Sequence, residues 1–594
     1  MDLHALYHRP KSEYAYAYNH EALHLLLRTK KDDVSLVELR YGDPFMWEKN
    51  EHQKSRWVFH QIPMKKRYQT SDYDYYFVHI QPEYLRTKYV FILHDDHKTY
   101  SFGPRGLHLL EDKHQDDLSA YFNFPYVHQE DLHHTPSWVK DTIWYQIFPD
   151  RFRSDNEVLM ATWKDAPVNN STHLGGNLKG MTLELPRLHE LGINGIYLTP
   201  IFTSPSVHKY DTTDYFSVDP HFGTNEDFKI FVQTAHHYGI KVMLDGVFNH
   251  AGFLHPFFQD LIKHNEESTY KDCFYVDQFP VLHFPLSEAG KPVLKPGQKP
   301  HYRTFAFQPS MPKWNTSHPL VASYLLDVVR YWIEVYDIDG WRLDVSNELS
   351  HAFLRNIKKT ARSVKEDCFI LGENWDQSLP WLLGDQLDSV MNYELSYAIW
   401  HYLSLEIDTI KFKDQLNQVY ATTPDHVMEN MFNLLGSHDT MRIRKRLSDD
   451  LSLVKLAFIL LFINKGTPMI YYGDEYGMTG DHDPDNRRPL LAERFYDKSF
   501  YAFIKHLIYL RKTYQSLFLS DFICIEGNPL ILMKKHGSQT LLCIINPHES
   551  CEFDASHELI GRYRDLINDK EIEFRDTIKI DSKGYYLLYK EESS

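Results

Sequence analysis

The sequence predicts an α/β protein of several domains. A (β/α)8 barrel carries a subdomain inserted after its third strand, follows an N-terminal β-sandwich and precedes a C-terminal antiparallel β domain. Three observations point there. From Asp141 onward, short apolar runs alternate with amphipathic helical stretches. Before about residue 125 and after about residue 515, the period becomes the two-residue alternation of half-buried strands. The 594 residues exceed what one core serves.

Composition narrows the partners. A net charge of −17 argues against nucleic acid and for a neutral or cationic ligand. The five cysteines (Cys273, Cys368, Cys524, Cys543, Cys551) are odd in number and show no metal-ligand spacing, which fits free thiols in a reducing compartment. The first residues show no basic stretch followed by an apolar one, and no apolar run approaches about 18 residues. A cytoplasmic protein without a membrane partner is expected.

Taken in order, residues 1–125 read as a sandwich. Tyr14 to Tyr18 alternates, and the runs 23–27, 34–39, 75–80 and 89–93 are β-rich. Turn formers separate them at Lys31-Asp32-Asp33, Gly42-Asp43-Pro44 and Asp95-Asp96-His97. Residues 126–140 form a linker bearing proline and histidine. The barrel spans 141–514, with strands expected at 143–148, 195–199, 241–247, 338–343, 368–371, 389–391, 431–435 and 468–472. After Ser317, apolar residues Leu320, Val321, Tyr324, Leu325, Val328, Val329, Trp332, Ile333 and Tyr336 fall on one helical face. Thr224-Asn225-Glu226-Asp227 resembles a capping box, and its helix should stop at Gly239. Residues 251–315 are too long for a loop and read as the inserted subdomain. In 515–594, strands are expected at 541–546, 562–567, 571–574 and 585–589.

The chemistry collects at barrel strand ends, where such folds place their active sites. Strand four runs into Gly340-Trp341-Arg342-Leu343-Asp344-Val345-Ser346-Asn347-Glu348. Residues two apart share a face, so Arg342 and Asp344 point the same way, and an arginine beside a carboxylate favours its ionised form. Strand three ends in Asp245-Gly246-Val247-Phe248-Asn249-His250, strand five in Gly372-Glu373-Asn374-Trp375 and strand seven in Gly436-Ser437-His438-Asp439. Three carboxylates (Asp344, Glu373, Asp439) and two histidines thus converge on one mouth. Acetal hydrolysis needs such a set: one carboxylate attacks the anomeric carbon while another protonates the leaving oxygen. A His–Asp metal site ranks below this, because the acids lie on different strands and no two-histidine helical motif is present.

Together these segments resemble the motif blocks of the α-amylase family of glycoside hydrolases, across nearly the whole chain. Met311-Pro312-Lys313-Trp314-Asn315 and Val345-Ser346-Asn347-Glu348 resemble blocks of its neopullulanase, cyclomaltodextrinase and maltogenic amylase group. The resemblance implies Asp344 as nucleophile, Glu373 as acid/base and Asp439 as stabiliser of the distorted ring. It implies Arg342 as the group holding Asp344 ionised, and His250 and His438 on sugar hydroxyls. Tyr210, in His208-Lys209-Tyr210-Asp211-Thr212, would stack on that sugar, and Asn347 and Glu348 would face the acceptor. Trp375 reads either as an acceptor platform or as rim packing. Asp483 and Arg487 read either as contacts to a more distant donor glucose or as an ion pair four residues apart. The N-terminal domain would be starch-binding-like and would form a homodimer covering the partner's active site.

The implied reaction is retaining hydrolysis of α-1,4 bonds in small or cyclic maltodextrins, and in pullulan, with some transfer. The alternatives are an α-amylase or glucanotransferase acting on long chains, or a non-catalytic glucan-binding relative; the presence of all three acids speaks against the last. No cofactor is required, and calcium is the one candidate. Where relatives carry an acidic loop, Asp155, Asn156, the Gly175 carbonyl and Asn177 offer oxygens but only one carboxylate, so a weak site or none is expected.

Overall fold

The computed structural model describes residues 1–49, 54–95, 98–111, 115–288, 290–492, 496–525 and 528–591. The chain packs as two compact units: Met1–His134 with Leu405–Glu429, and Thr135–Ser404 with Asn430–Ser594.

The first unit contains the expected sandwich. A four-stranded sheet (Ala15–Ala17, Leu23–Lys30, Tyr73–Ile80, Lys65–Gln69) faces a six-stranded one built on Leu36–Gly42 and Thr87–His94. Alternate residues Leu25, Leu27, Val37, Leu39, Phe91 and Leu93 fill the core between them. The strands Lys65–Gln69 and Thr99–Gly103 escape sequence reading because they are polar and end a sheet or lie near its edge. Of the turn at Asp95-Asp96-His97, Asp96 and His97 lie outside the described residues. The helix Thr409–Ala421, between barrel strands in sequence, groups with this unit. Arg67 holds Asp425 through two hydrogen bonds of 2.9 and 3.0 Å, and Tyr75 Oη donates to Gln418.

The second unit is organised by eight parallel strands: β1 Trp144–Ile147, β2 Gly195–Leu198, β3 Lys241–Gly246, β4 Gly340–Leu343, β5 Phe369–Gly372, β6 Ser389–Val390, β7 Phe432–Leu434 and β8 Thr467–Tyr471. Each pairs with its neighbour in sequence, β8 returns to β1, and a parallel bridge between Met391 and Phe432 closes the ring. All eight lie within two residues of their expected positions. The capping box forms as read, with Thr224 and Asp227 satisfying each other's backbone ahead of the helix Asn225–His237. The helix Pro319–Tyr336 buries most of its expected face, although Leu320 is exposed. Alternation fails once: between β5 and β6 there is only the one-turn helix Leu379–Trp381.

The lower rim is tied by side chains that accept backbone N–H groups at strand starts. Asn194 accepts from Ile143 N (2.7 Å), Asp339 from Val242 N (2.9 Å) and Asp388 from Ile370 N (2.8 Å). Asp339 is fully buried and also receives His236, Lys241 and Lys365. The inserted subdomain carries the helix Pro256–His264 over an aromatic core of Phe258, Phe274, Tyr302 and Trp314. The C-terminal strands form a six-stranded antiparallel sheet with a core of its own, including Ile531, Met533, Leu542, Ile544 and Leu588. No helix of the described residues is long and apolar enough to cross a membrane.

Candidate active site

β4 is buried along its whole length, so its one charged side chain must find partners at the strand end. Arg342 is fully buried and gathers three carboxylates. Nη1 donates to both oxygens of Asp245 at 2.9 Å and to Asp344 Oδ1 at 3.0 Å, while Nη2 lies 2.7 Å from Glu373 Oε2. The acids stand at or just beyond the ends of three successive strands, and parallel register sets Asp245 beside Arg342. Alternation correctly places Asp344 on the arginine's face.

Sharing one guanidinium changes the electrostatics. Burial pushes Asp344 well above the usual carboxylate range; Arg342 opposes this, and Glu373, Asp245 and Asp439 add to it. Burial likewise pushes Asp245 up to about 6, against Arg342 and the Tyr197 and Tyr210 hydroxyls. Arg342 reaches Asp344 and favours its ionised form, but it is shared with two further acids. Asp344 Oδ1 is held, whereas Oδ2 is buried without a hydrogen-bond partner. Oδ2 is therefore the oxygen left to attack.

Tyr210, in the loop after β2, donates its hydroxyl to Asp245 Oδ2 at 2.9 Å and accepts from His438 Nε2. The two rings are parallel to within 2°. Gln146 Nε2 donates to His438 Nδ1 at 2.8 Å, which leaves the ring proton on Nε2. Burial, reinforced by Arg487 and Arg342, holds this imidazole well below its usual range, so it is neutral. Its Nε2 also lies 3.2 Å from Asp439 Oδ2. His250 makes its contacts to the protein around Tyr210. Its Nε2 donates to the Tyr210 carbonyl at 3.1 Å, Asn249 faces its Nδ1, and the ring stacks on Phe305. His250 thus holds the Tyr210 backbone, and burial lowers its pKa to about 3.

Asp483 and Arg487 do form an ion pair, at 3.0 Å, and Asn170 Nδ2 donates to Asp483. Arg487 continues inward: Nε donates to the His438 carbonyl at 2.9 Å, and Nη2 lies 3.5 Å from Asp439 Oδ1. Asn486 Nδ2 donates to the same loop, to the carbonyls of His438 (2.7 Å), Thr440 (2.9 Å) and Ser437 (3.4 Å).

On the opposite side, Trp375 lies flat on Tyr393, centroids 3.9 Å apart at 4°, and its indole N–H donates to Glu373 Oε1 at 3.1 Å. Rim packing is therefore real, and it orients a carboxyl. Asn347 and Glu348 are exposed in the one-turn helix Ser346–Glu348, with Glu348 Oε2 2.9 Å from Lys313 Nζ.

The residues considered for calcium do meet, but around a donor. Asn177 Oδ1 caps the helix Leu178–Leu191 by accepting from Gly180 N at 2.8 Å. That bond fixes the amide, so Nδ2 points at Asp155 Oδ1 (2.8 Å) and the Gly175 carbonyl (3.4 Å). Asn156 spends its oxygen capping Glu157–Met160. An N–H among the oxygens and a single carboxylate do not fit a calcium ion.

Sequence reasoning left several residues of this site without a role: Asp245, Gln146, Tyr197, Tyr393 and Asn486. Gln146 and Tyr197 carried a signal, since each puts a polar atom inside a fully buried strand. Tyr393 and Asn486 carried none; their roles depend on which loops meet.

With this geometry in hand, the comparisons are specific. Residues 146–489 match the model for the α-amylase catalytic domain, and residues 1–128 that for the α-amylase N-terminal Ig-like domain. The chain belongs to the α-amylase family of glycoside hydrolases, and it is an enzyme of that class. A cyclomaltodextrinase of Geobacillus thermopakistaniensis is 42% identical, over 95% of this chain and 94% of the relative. An intracellular maltogenic amylase of Bacillus subtilis is 39% identical, over 87% of this chain and 85% of the relative. The solved structure of a cyclomaltodextrinase superposes with a TM-score of 0.88 at 35% identity, covering 99% of this chain and 100% of its own.

Proposed function

We propose that the enzyme hydrolyses α-1,4-glucosidic bonds of cyclomaltodextrins and short maltodextrins, and of pullulan, with retention and with partial transfer to sugar acceptors. One observation carries the mechanism: a single buried guanidinium tethers both Asp344 and Glu373, while Asp344 Oδ2 is free. Asp344 Oδ2 attacks the anomeric carbon as Glu373 gives its proton to the leaving oxygen. The resulting β-glycosyl-enzyme is cleaved when the oxygen of water or of a sugar hydroxyl, losing its proton to Glu373, bonds to C1 as the C1–Asp344 bond breaks. Asp439, with the neutral His438 beside it, stabilises the flattened ring, and Tyr210 forms the wall against which that ring sits. Asp483 and Arg487 extend the donor side, and Glu348 and Trp375 the acceptor side.

The names of the relatives support small and cyclic substrates. One relative's name, an intracellular amylase, supports a cytoplasmic place. A homodimer through the N-terminal domain completes this reading, with each partner narrowing the other's cleft.

The test is a parallel digestion of β-cyclodextrin, pullulan and soluble starch with the products resolved by chromatography. Rapid opening of the cyclodextrin to maltose, panose from pullulan and slow attack on starch are expected. Starch attacked fastest, with cyclodextrin untouched, would overturn the narrow cleft and the dimer invoked to make it.

A further inference from the structure

Lys313 has no part in the chemistry above, yet it joins three elements. It returns from the inserted subdomain alongside the end of β3, where Trp314 N donates to the Asn249 carbonyl at 3.0 Å and Ala251 N to the Pro312 carbonyl at 3.0 Å. Its ammonium donates to Asn249 Oδ1, lies 2.9 Å from Glu348 Oε2 and reaches the Glu348 carbonyl at 3.4 Å. Glu348 closes the turn that follows the nucleophile, its N–H donating to the Val345 carbonyl at 3.0 Å.

Val345 is the unusual member of that turn. Its backbone is left-handed, with φ 46° and ψ 46°. A β-branched residue adopts this conformation only where its surroundings force it, at a cost of about 1–3 kcal/mol. The conformation aims Val345 N–H at Glu373 Oε2, 2.9 Å away. The turn also grips the neighbouring strand end: Ser346 N donates to the Glu373 carbonyl at 3.2 Å, and Ser346 Oγ to Asn374 Oδ1 at 2.7 Å. A Cβ on Gly372 would stand 2.6 Å from Ser346 Oγ, so this grip needs the glycine.

We propose that Lys313 is a positioning residue for the acid/base carboxyl. By pinning Glu348 it holds the strained Val345 turn whose N–H orients Glu373, and so ties proton delivery to the inserted subdomain. This rests on the assignment of Glu373 above. In the step concerned, the C1–O bond breaks as the Glu373 proton passes to the leaving oxygen and Asp344 Oδ2 bonds to C1. A glucose leaving group needs that proton in place. Fluoride departs as an anion with far less help, so the two leaving groups separate a misplaced acid from a generally damaged site.

The experiment compares wild type, Lys313→Met, Lys313→Arg and Glu373→Gln on maltotriose and on α-maltosyl fluoride, reading kcat/KM, which reports the first covalent step. Lys313→Met should lose on the order of tenfold on maltotriose, as a misplaced catalytic group does, and under about twofold on the fluoride. Lys313→Arg should recover most of the maltotriose rate, and Glu373→Gln should show the same substrate pattern more deeply. Equal losses of Lys313→Met on both substrates, or no loss on either, would overturn the inference. The ratio is read within one preparation, so partial unfolding, which lowers both rates alike, does not imitate it. A wild type inactive on both substrates would overturn the proposed reaction itself, a result distinct from an active wild type whose variant shows no leaving-group pattern.

Discussion

Asp344→Asn keeps the shape of the side chain and removes its charge, and the structure predicts opposite effects on rate and on stability. The rate falls because an amide cannot form the glycosyl bond; a loss of at least about 10³ in kcat/KM, or about 4 kcal/mol of barrier, is expected. Stability rises because the ionised wild-type group is buried beside two further carboxylates and one shared guanidinium. The sign follows from linkage. The folded-state pKa lies above the unfolded one, so Asp344 supports folding fully below its unfolded pKa, and that support is lost as pH rises through its folded pKa. At neutral pH asparagine avoids this cost, about 1.4 kcal/mol for each unit of displacement. The variant should therefore melt above wild type at pH 7. Calorimetric scans at one fixed rate, at pH 7 and near pH 4, provide the assay, and the gap between variant and wild type should narrow toward acid. A lower Tm for the variant at pH 7, or a rate loss under about tenfold, would refute the reasoning.

Four further outcomes are expected. Trp375→Phe retains a ring against Tyr393 but removes the N–H bonded to Glu373 Oε1; kcat should fall roughly tenfold with Tm unchanged, by steady-state kinetics and a melt of the same sample. Chelator should leave wild-type activity and Tm unmoved, because an amide N–H stands among the oxygens of the 155–177 cluster. In Asn177→Asp, added calcium should raise Tm, and metal analysis after dialysis should then show a ratio approaching one only in the variant. Asp339→Ala removes the carboxylate shared by His236, Lys241, Lys365 and the Val242 N–H at the lower rim, leaving Lys365 with Asp337. It should cost about 3–5 kcal/mol while the kcat/KM of the surviving fold stays within about twofold of wild type, checked by chemical denaturation and by kinetics.

What the sequence reveals here follows from what local pattern can encode. The eight barrel strands are legible because each is a short apolar run bounded by turn formers, and Arg342 with Asp344 because strand alternation has period two. Glu373 and Asp439 follow from the same rule at other strand ends. What escapes it is chemistry made between loops. Nothing near residue 375 says that Tyr393 will lie under the indole, and nothing near residue 177 says that its amide will be turned by a helix cap. The fall of three acids onto one arginine also depends on register between strands about a hundred residues apart; a reading of Arg342 and Asp344 as a private pair therefore misses Asp245 and Glu373 on the same guanidinium. The helix Thr409–Ala421 shows the same limit on a larger scale, since its sequence neighbours are barrel strands while its partners are Tyr75 and Tyr68 of the sandwich.

The arrangement around Arg342 has a further consequence. Three buried acids around one buried cation, with Asp439 and Arg487 close by, form a cage short of positive charge. An uncharged glucose ring does nothing to make up that shortfall. The oxocarbenium-like ring at the top of the barrier does, because it alone brings a positive charge to the spot. The protein thus carries in its resting state an electrostatic discomfort that only the transition state relieves, which favours that species over the ground state. On this view the upward displacement of Asp344 and Asp245 is no flaw of a crowded site. It measures how strongly the folded chain already wants the cation that the reaction will briefly create.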